Sequence, residues 1–150
     1  MGHDQQTEPD IKPDSGLRLE YDVREPGPTQ SVVIASPAVE DVVAALRSLD
    51  QRRHTELTVE DTAGAYIAVG GGLGAYHVYI GALDHDDRVV LQRSVSAADD
   101  QREAPIELVM DGRSARYEAR EVVDQETALT AVRGFMETSR PHPDLPWRTG

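Results

Sequence analysis

Hydrophobic and charged residues alternate with a period of two near the start of this chain, which is the pattern of a half-buried β-strand. At residues 17–23, Leu17, Leu19, Tyr21 and Val23 alternate with the charged residues between them. Other segments, rich in β-branched and aromatic residues and bounded by glycine or acidic residues, predict further strands. They cover residues 31–35, 55–60, 65–69, 76–83, 88–95, 106–110 and 114–123.

Two segments have apolar residues at helical spacing instead. The first follows Ser36 and Pro37, which we predict to be the N-cap and the first helical residue, and it continues to about Leu49. The second follows Asp124, a predicted N-cap, and should end close to Ser139. These two segments are the predicted helices of the chain.

Between residues 55 and 123 the predicted strands follow one another with no helix between them, which favours antiparallel pairing. Asp111 and Gly112 mark a tight turn between the last two of these strands, so those strands should form a hairpin. The pattern predicts an α+β fold: a single, mainly antiparallel sheet of about six to eight strands, with both helices packed on one face.

The two ends of the chain differ in character. Residues 1–15 are polar and contain two prolines, so we expect a disordered acidic tail, followed by a single α+β domain over residues 16–150. Near the other end, three prolines precede Trp147, the only tryptophan. A single large ring at this position is expected to hold an otherwise irregular segment against the core.

Composition narrows the class of protein. The chain has 150 residues, the size of one ordinary domain, and a formal net charge of −12 at pH 7. This acidity disfavours direct contact with nucleic acid and favours a basic partner. The absence of cysteine excludes disulfides and thiolate sites, and the apolar runs are far shorter than the roughly 20 residues that cross a bilayer. We therefore expect a cytoplasmic protein with no membrane partner.

Four glycines, Gly70, Gly71, Gly72 and Gly74, directly follow an apolar strand, which is where a phosphate-binding loop would begin. Such a loop must lead into a helix, and a dinucleotide site requires the spacing G-x-G-x-x-G. Here the residue three places after Gly74 is His77, and the segment that follows has the composition of a strand. We therefore interpret the glycines as a connection between two antiparallel strands.

Other candidate chemistry is weak. The loop Asp84-His85-Asp86-Asp87 carries three carboxylates and an imidazole that could ligate a divalent metal, but it lacks the spacing and the turn glycine of a calcium loop. His77 lies within a predicted strand, where a hydrogen-bonded structural histidine is the usual case. Ser36 lies at a strand-to-helix turn, but the helix cap explains it. We expect no catalytic residue, no metal and no cofactor.

Two stretches of the chain, taken together, resemble a known family. One runs from Ala65 to Gly81 (AYIAVGGGLGAYHVYIG), and the other runs from Ala128 to Trp147 (ALTAVRGFMETSRPHPDLPW). In this order and at this distance they are similar to the first family in the catalogue of immunity proteins from bacterial polymorphic-toxin systems, the Imm-one family, which is abundant in actinobacteria. The resemblance spans most of residues 17–147.

The family pattern combines a glycine-rich hairpin that opens onto an aromatic strand with a C-terminal helix, a Gly-Arg-Pro loop and a tryptophan. The residues that match it here are Gly70, Gly71, Gly72, Gly74, Tyr76, Phe135, Arg140, Pro141 and Trp147. Ser139 departs from the pattern, because glycine is expected there. Turn glycines and a docking tryptophan organise a scaffold, so contacts with a partner are expected elsewhere.

The resemblance implies a non-catalytic protein that binds and neutralises a cognate secreted toxin by occluding its active site, with deaminases acting on nucleic acid as frequent toxins. Acidic connections between strands are the expected toxin interface, at Asp84, Asp86, Asp87, Asp99, Asp100 and Glu103. Two alternatives stay open: a small metal- or ligand-binding enzyme that uses the sheet face, and an acidic adaptor for toxin secretion. The oligomeric state is open as well.

Overall fold

The computed structural model describes residues 15–83, 86, 89–96 and 104–149, and the predicted tail lies outside this part apart from Ser15. The described residues form nine strands and two α-helices. In chain order the elements are β1 (Arg18–Val23), β2 (Gln30–Ala35), α1 (Val39–Ser48), β3 (Glu56–Glu60), β4 (Ala65–Gly72), β5 (Ala75–Leu83), β6 (Val89–Val95), β7 (Ile106–Met110), β8 (Arg113–Tyr117), α2 (Gln125–Thr138) and β9 (Trp147–Thr149).

Seven strands form one sheet in the order β2-β1-β3-β4-β5-β6-β9, and its strand pairs are antiparallel. Consecutive strands from β3 to β6 pair as neighbours, which the absence of intervening helices predicts. The α+β class and the mainly antiparallel sheet are therefore confirmed.

One face of this sheet is apolar and carries the core. Cross-strand pairs such as Leu57 with Val69 and Ile67 with Ile80 place apolar side chains on this face, where they are almost completely buried. Both helices contribute to the same core cluster, through Val42, Ala45, Leu46 and Leu49 of α1 and its C-cap and through Ala128, Leu129, Val132 and Phe135 of α2. The prediction that both helices cover one face is confirmed.

The predicted hairpin of β7 and β8 forms, but it is a separate two-stranded sheet, so the expectation of a single sheet is wrong. The reason is a close approach at Gly70 in β4. A Cβ atom on Gly70 would lie 2.2 Å from Cγ of Met110, so the missing side chain leaves the space in which Met110 packs. The hairpin therefore crosses the second face of the large sheet and does not extend its edge.

The start of α1 differs from the prediction. Ser36 has a left-handed backbone with φ of 48°, and Ala38 is the N-cap, so the helix begins at Val39 and not at Pro37. Asp41 supplies the capping group, because its Oδ2 accepts a hydrogen bond from the Ala38 amide at 2.8 Å. In α2 the predicted cap is confirmed: Asp124 Oδ1 accepts from the Thr127 amide at 2.9 Å.

Two further segments differ from the prediction, one in where its strand ends and the other in its conformation. The strand expected over residues 114–123 stops at Tyr117, and a single 3₁₀ turn, Ala119–Glu121, follows it. The C-terminal segment, expected to be irregular, forms the short strand β9, in which Trp147 pairs with Val95 of β6. The docking of Trp147 is confirmed, since its ring packs against the core cluster and its Nε1 donates to the His142 carbonyl at 2.9 Å.

Candidate partner-binding site

Most of the acidic residues predicted to touch a partner lie outside the described residues: Asp84, Asp87, Asp99, Asp100 and Glu103. Asp86 is described and is exposed to solvent. The exposed position of Asp86 fits the expected location of these acids on a strand connection, and the interface itself stays a prediction.

The glycine run belongs mostly to a strand. Gly70, Gly71 and Gly72 lie in β4, which extends to Gly72 and not only to residue 69 as predicted, and the turn consists of Leu73 and Gly74. A Cβ atom on Gly72 would lie 2.3 Å from the Leu49 carbonyl oxygen, and the φ of 139° at Gly72 is one that other residues rarely adopt. The glycines therefore allow α1 and the β7–β8 hairpin to approach β4 closely, and the chain continues into a strand.

The C-terminal motif is also a scaffold. Ser139 has φ of 59°, the left-handed conformation in which the family pattern expects glycine, and its amide donates to the Phe135 carbonyl at 2.7 Å. Phe135 is fully buried. Gly134 of α2 leaves room for His142, because a Cβ atom on Gly134 would lie 2.8 Å from Cδ2 of His142.

His77 is a structural histidine, as predicted. It is 7% exposed, and its Nδ1 donates to the Glu121 carbonyl at 3.0 Å. The ring stacks on Tyr117 of the hairpin with a centroid distance of 4.7 Å. His77 therefore connects β5 to β8 and to the 3₁₀ turn.

The second face of the large sheet is where polar side chains converge. Its central part, which we call the acid–tyrosine face, consists of Glu20 and Asp22 from β1, Glu56, Thr58 and Glu60 from β3, Tyr66 from β4 and Tyr79 from β5. The antiparallel register sets them in rows, because Glu20 pairs with Thr58, and Glu60 pairs with Tyr66. Apart from Asp22, which is buried, these side chains are half-buried and so partly open to solvent.

Asp22 fastens the hairpin turn to this face. Its carboxylate accepts hydrogen bonds from the Thr55 amide at 2.7 Å, from the Thr55 hydroxyl and from Arg24 Nε. Thr55 Oγ1 in turn accepts from the Gly112 amide at 2.9 Å, and Arg24 also donates to Asp111 at 3.0 Å. Burial raises the pKa of Asp22, but these hydrogen bonds outweigh burial and hold its pKa below the ordinary value.

A pocket opens between the acid–tyrosine face and the hairpin turn. We call it the Glu56 pocket, and it is lined by Glu20, Tyr21, Asp22, Ser31, Glu56, Leu57, Thr58 and Asp111. Burial, followed by the nearby charges of Asp111 and Asp22, raises the pKa of Glu56 to about 7. Among the described residues Arg24 is the cation that opposes this rise, and Arg24 is already bonded to two aspartates.

The tyrosines next to the pocket respond to the same charge. Burial and then Glu56 raise the pKa of Tyr79 to about 12, and the same two causes raise that of Tyr66. The ring of Tyr66 lies over Gly81, where a Cβ atom would be 2.3 Å from its hydroxyl oxygen. The rings of Tyr66 and Tyr79 meet edge to face at 6.2 Å. Both phenols therefore stay neutral at physiological pH and offer ring faces and hydroxyl groups beside the carboxylates.

This arrangement is suited to bind the cationic side chains of a basic protein surface. Carboxylates accept hydrogen bonds from guanidinium groups, and tyrosine rings attract cations. In the part of the chain that the structure describes, no group of three or more histidine, aspartate or glutamate side chains can hold a metal ion. Neither described helix is long and apolar enough to cross a membrane.

The acid–tyrosine face was not predicted. A signal for it is present in β1 and β3, where carboxylates occupy alternate positions and therefore one face: Glu20 and Asp22, then Glu56 and Glu60. Their convergence depends on β1 pairing with β3, across the intervening β2 and α1. The wall of the pocket depends on the hairpin turn at Asp111, which is distant in the sequence.

Comparison with known proteins identifies the family to which the sequence is matched. Residues 30–149 match the model of the family described as Immunity protein Imm1, which confirms the resemblance of the glycine-rich and C-terminal motifs. No curated protein matches the sequence. Among solved structures, the chain is similar to a hypothetical protein from Neisseria gonorrhoeae, with 10% identity and a TM-score of 0.55, over 89% of this chain and 96% of that chain. At this identity the likeness concerns the fold alone.

Proposed function

We propose that this chain, which belongs to the Imm1 family of immunity proteins, protects the cell that makes it by binding a secreted toxin of a polymorphic-toxin system and occluding the toxin's active site. Membership of the family supports an immunity function and implies a cognate toxin as partner. The observation that carries the proposal is the family match over residues 30–149, which includes the scaffold motifs at both Gly70 and Trp147.

The partner is a toxin domain with a basic surface, and we propose a domain that acts on nucleic acid, such as a deaminase. A protein that handles nucleic acid needs cationic groups for the phosphates. This chain carries a net charge of −12 and would be attracted to such a surface. Because occlusion needs only a complementary surface, the proposed inhibitor uses neither a cofactor nor a catalytic group, and it acts in the cytoplasm where the toxin would do its damage.

The acidic connections contribute to the association rate in this proposal. Charges at the rim of an interface change how fast two proteins meet, and their effect weakens as salt is added. Replacement of Asp84, Asp86 and Asp87 by lysine should therefore slow association with the toxin domain at low salt. A matched variant with Glu40, Glu126 and Glu137 on the helices changed to lysine carries the same charge, and it should slow association less.

The function is tested by co-expression. The gene next to this one should encode a large secreted protein with a variable C-terminal domain, and expression of that domain alone should arrest growth. Growth should recover when this chain is co-expressed, and the two proteins should purify together. Arrest that continues in the presence of this chain would refute the immunity function, and binding without recovery of growth would assign the chain as an adaptor.

A further inference from the structure

We infer that the toxin docks on the acid–tyrosine face and that a guanidinium group of the toxin enters the Glu56 pocket. This inference rests on the proposed function and adds to it a surface and a chemistry for the contact. It differs from the proposed contribution of the acidic connections, because the acid–tyrosine face is built on paired strands and is held in place by the sheet.

The large sheet leaves one face for a partner. Its first face is covered by α1 and α2, which share one core cluster with it. On the second face, the hairpin covers the region of Gly70 and His77, where Met110 and Tyr117 pack. The neighbouring rows of the acid–tyrosine face keep half-buried side chains, and Val33, paired with Glu20 at their margin, is 46% exposed.

The acid–tyrosine face carries large aromatic rings, which a sheet face exposed only to water does not need. Tyr66 and Tyr79 contribute large, stiff rings, which are enriched at protein–protein interfaces and at their energetic centres. They surround Ala68, which is fully buried although it lies on this second face. A partner that covers these rings would remove apolar surface from water and would add polar contacts at their hydroxyl groups.

The carboxyl groups of the Glu56 pocket favour a positively charged group as the occupant. Its walls bring together the carboxyl groups of Glu20, Glu56 and Asp111 next to that of Asp22. Arg24 is bonded to Asp22 and Asp111, and within the described residues no hydrogen bond or ion pair engages the Glu56 carboxyl group. A guanidinium group fits this environment better than an ammonium group, because its planar donors bind carboxylates in pairs.

The experiment uses the full chain and the toxin domain that it neutralises. Glu56→Gln keeps the shape of the side chain and removes its charge, and it should weaken binding at least tenfold, mainly through faster dissociation. Glu137→Gln makes the same change on the helix side of the molecule, where the residue is exposed, and it should bind as the parent protein does. Thermal unfolding of each variant shows that it is folded.

A second measurement does not depend on any variant. Carbodiimide labelling of carboxyl groups, read by mass spectrometry, should show Glu20, Glu56 and Asp111 protected in the complex while Glu137 stays reactive. Equal affinity of Glu56→Gln and the parent protein, or equal labelling of the three pocket residues with and without toxin, would overturn the inference. Because the parent protein is tested for growth recovery first, failure of the docking site is distinguishable from failure of the immunity function.

Discussion

Replacing Glu56 by glutamine should stabilise the free protein at neutral and alkaline pH. Burial and the charges of Asp111 and Asp22 raise the pKa of Glu56 to about 7 in the folded protein, whereas the ordinary pKa of a glutamate side chain, expected in the unfolded chain, is 4.5. The folded state therefore keeps the Glu56 proton over a pH range in which the unfolded state has lost it. This contribution to stability is fully present below about pH 4.5 and is lost as the pH rises through about 7.

The magnitude follows from the two pKa values. At about 1.36 kcal/mol for each pH unit between them, a difference between 4.5 and 7 corresponds to about 3.4 kcal/mol. Because the side chain is partly open to water, which screens its charge, we expect about 2–3 kcal/mol. The variant should thus gain this free energy of unfolding relative to the parent protein as the pH is raised from 5 to 8.

The assay is urea unfolding of both proteins at constant ionic strength across that pH range, followed by circular dichroism. The difference between variant and parent is the relevant quantity, because the other carboxyl groups titrate in both. Glu137→Gln, an exposed change of the same kind, serves as the control and should give a nearly constant difference. A flat difference for Glu56→Gln would show that the pocket does not penalise the charge of Glu56, and the electrostatic description of the pocket would be wrong.

Three further predictions concern the scaffold, each measured by urea unfolding. Gly70→Ala and Met110→Ala should each lower the free energy of unfolding by about 1–3 kcal/mol. The double variant should lose less stability than the sum of the two, because the shorter side chain at position 110 makes room for the new Cβ atom, and strict additivity would contradict the close packing. Ser139→Gly should stabilise by about 0.5–1 kcal/mol, since Ser139 has a left-handed backbone, whereas Glu137→Gly within the same helix should destabilise. Asp22→Asn should lower the free energy of unfolding by about 2–4 kcal/mol at pH 7. This loss should shrink as the pH falls below 3.8, because the pKa of Asp22 is lowered in the folded state, and an equal loss at pH 3 would argue against an ionised Asp22.

Local patterns were sufficient to predict most of the fold. Alternation at Leu17 to Val23, the turn at Asp111 and Gly112, and the cap at Asp124 each depend on neighbours in the sequence, and each is present in the structure. Family motifs identified the scaffold for the same reason. The start of α1 was misplaced, because a serine before proline is a common cap and the sequence does not show that Ser36 adopts a positive φ.

The candidate site depends on contacts between distant residues, which local patterns do not contain. Gly70 gave no indication that Met110 would fill the space above it, so the hairpin was assigned to the main sheet. The Glu56 pocket needs Glu20 of β1, Glu56 of β3 and the hairpin turn to meet. Alternation alone places such carboxylates on one face, where the ordinary interpretation is a solvated surface.

The electrostatics of the acid–tyrosine face connect stability to binding. In the free protein the ionised Glu56 raises the free energy of the folded state, because burial and the charges of Asp111 and Asp22 disfavour its ionisation. Arg24 is bonded to both aspartates and leaves the Glu56 carboxylate unpaired among the described residues. A guanidinium group that enters the pocket would relieve this penalty, so the energy lost in folding would be recovered in the complex. Glu56→Gln should therefore stabilise the free protein while weakening the complex, and these opposite signs are expected of a binding residue and not of a structural one.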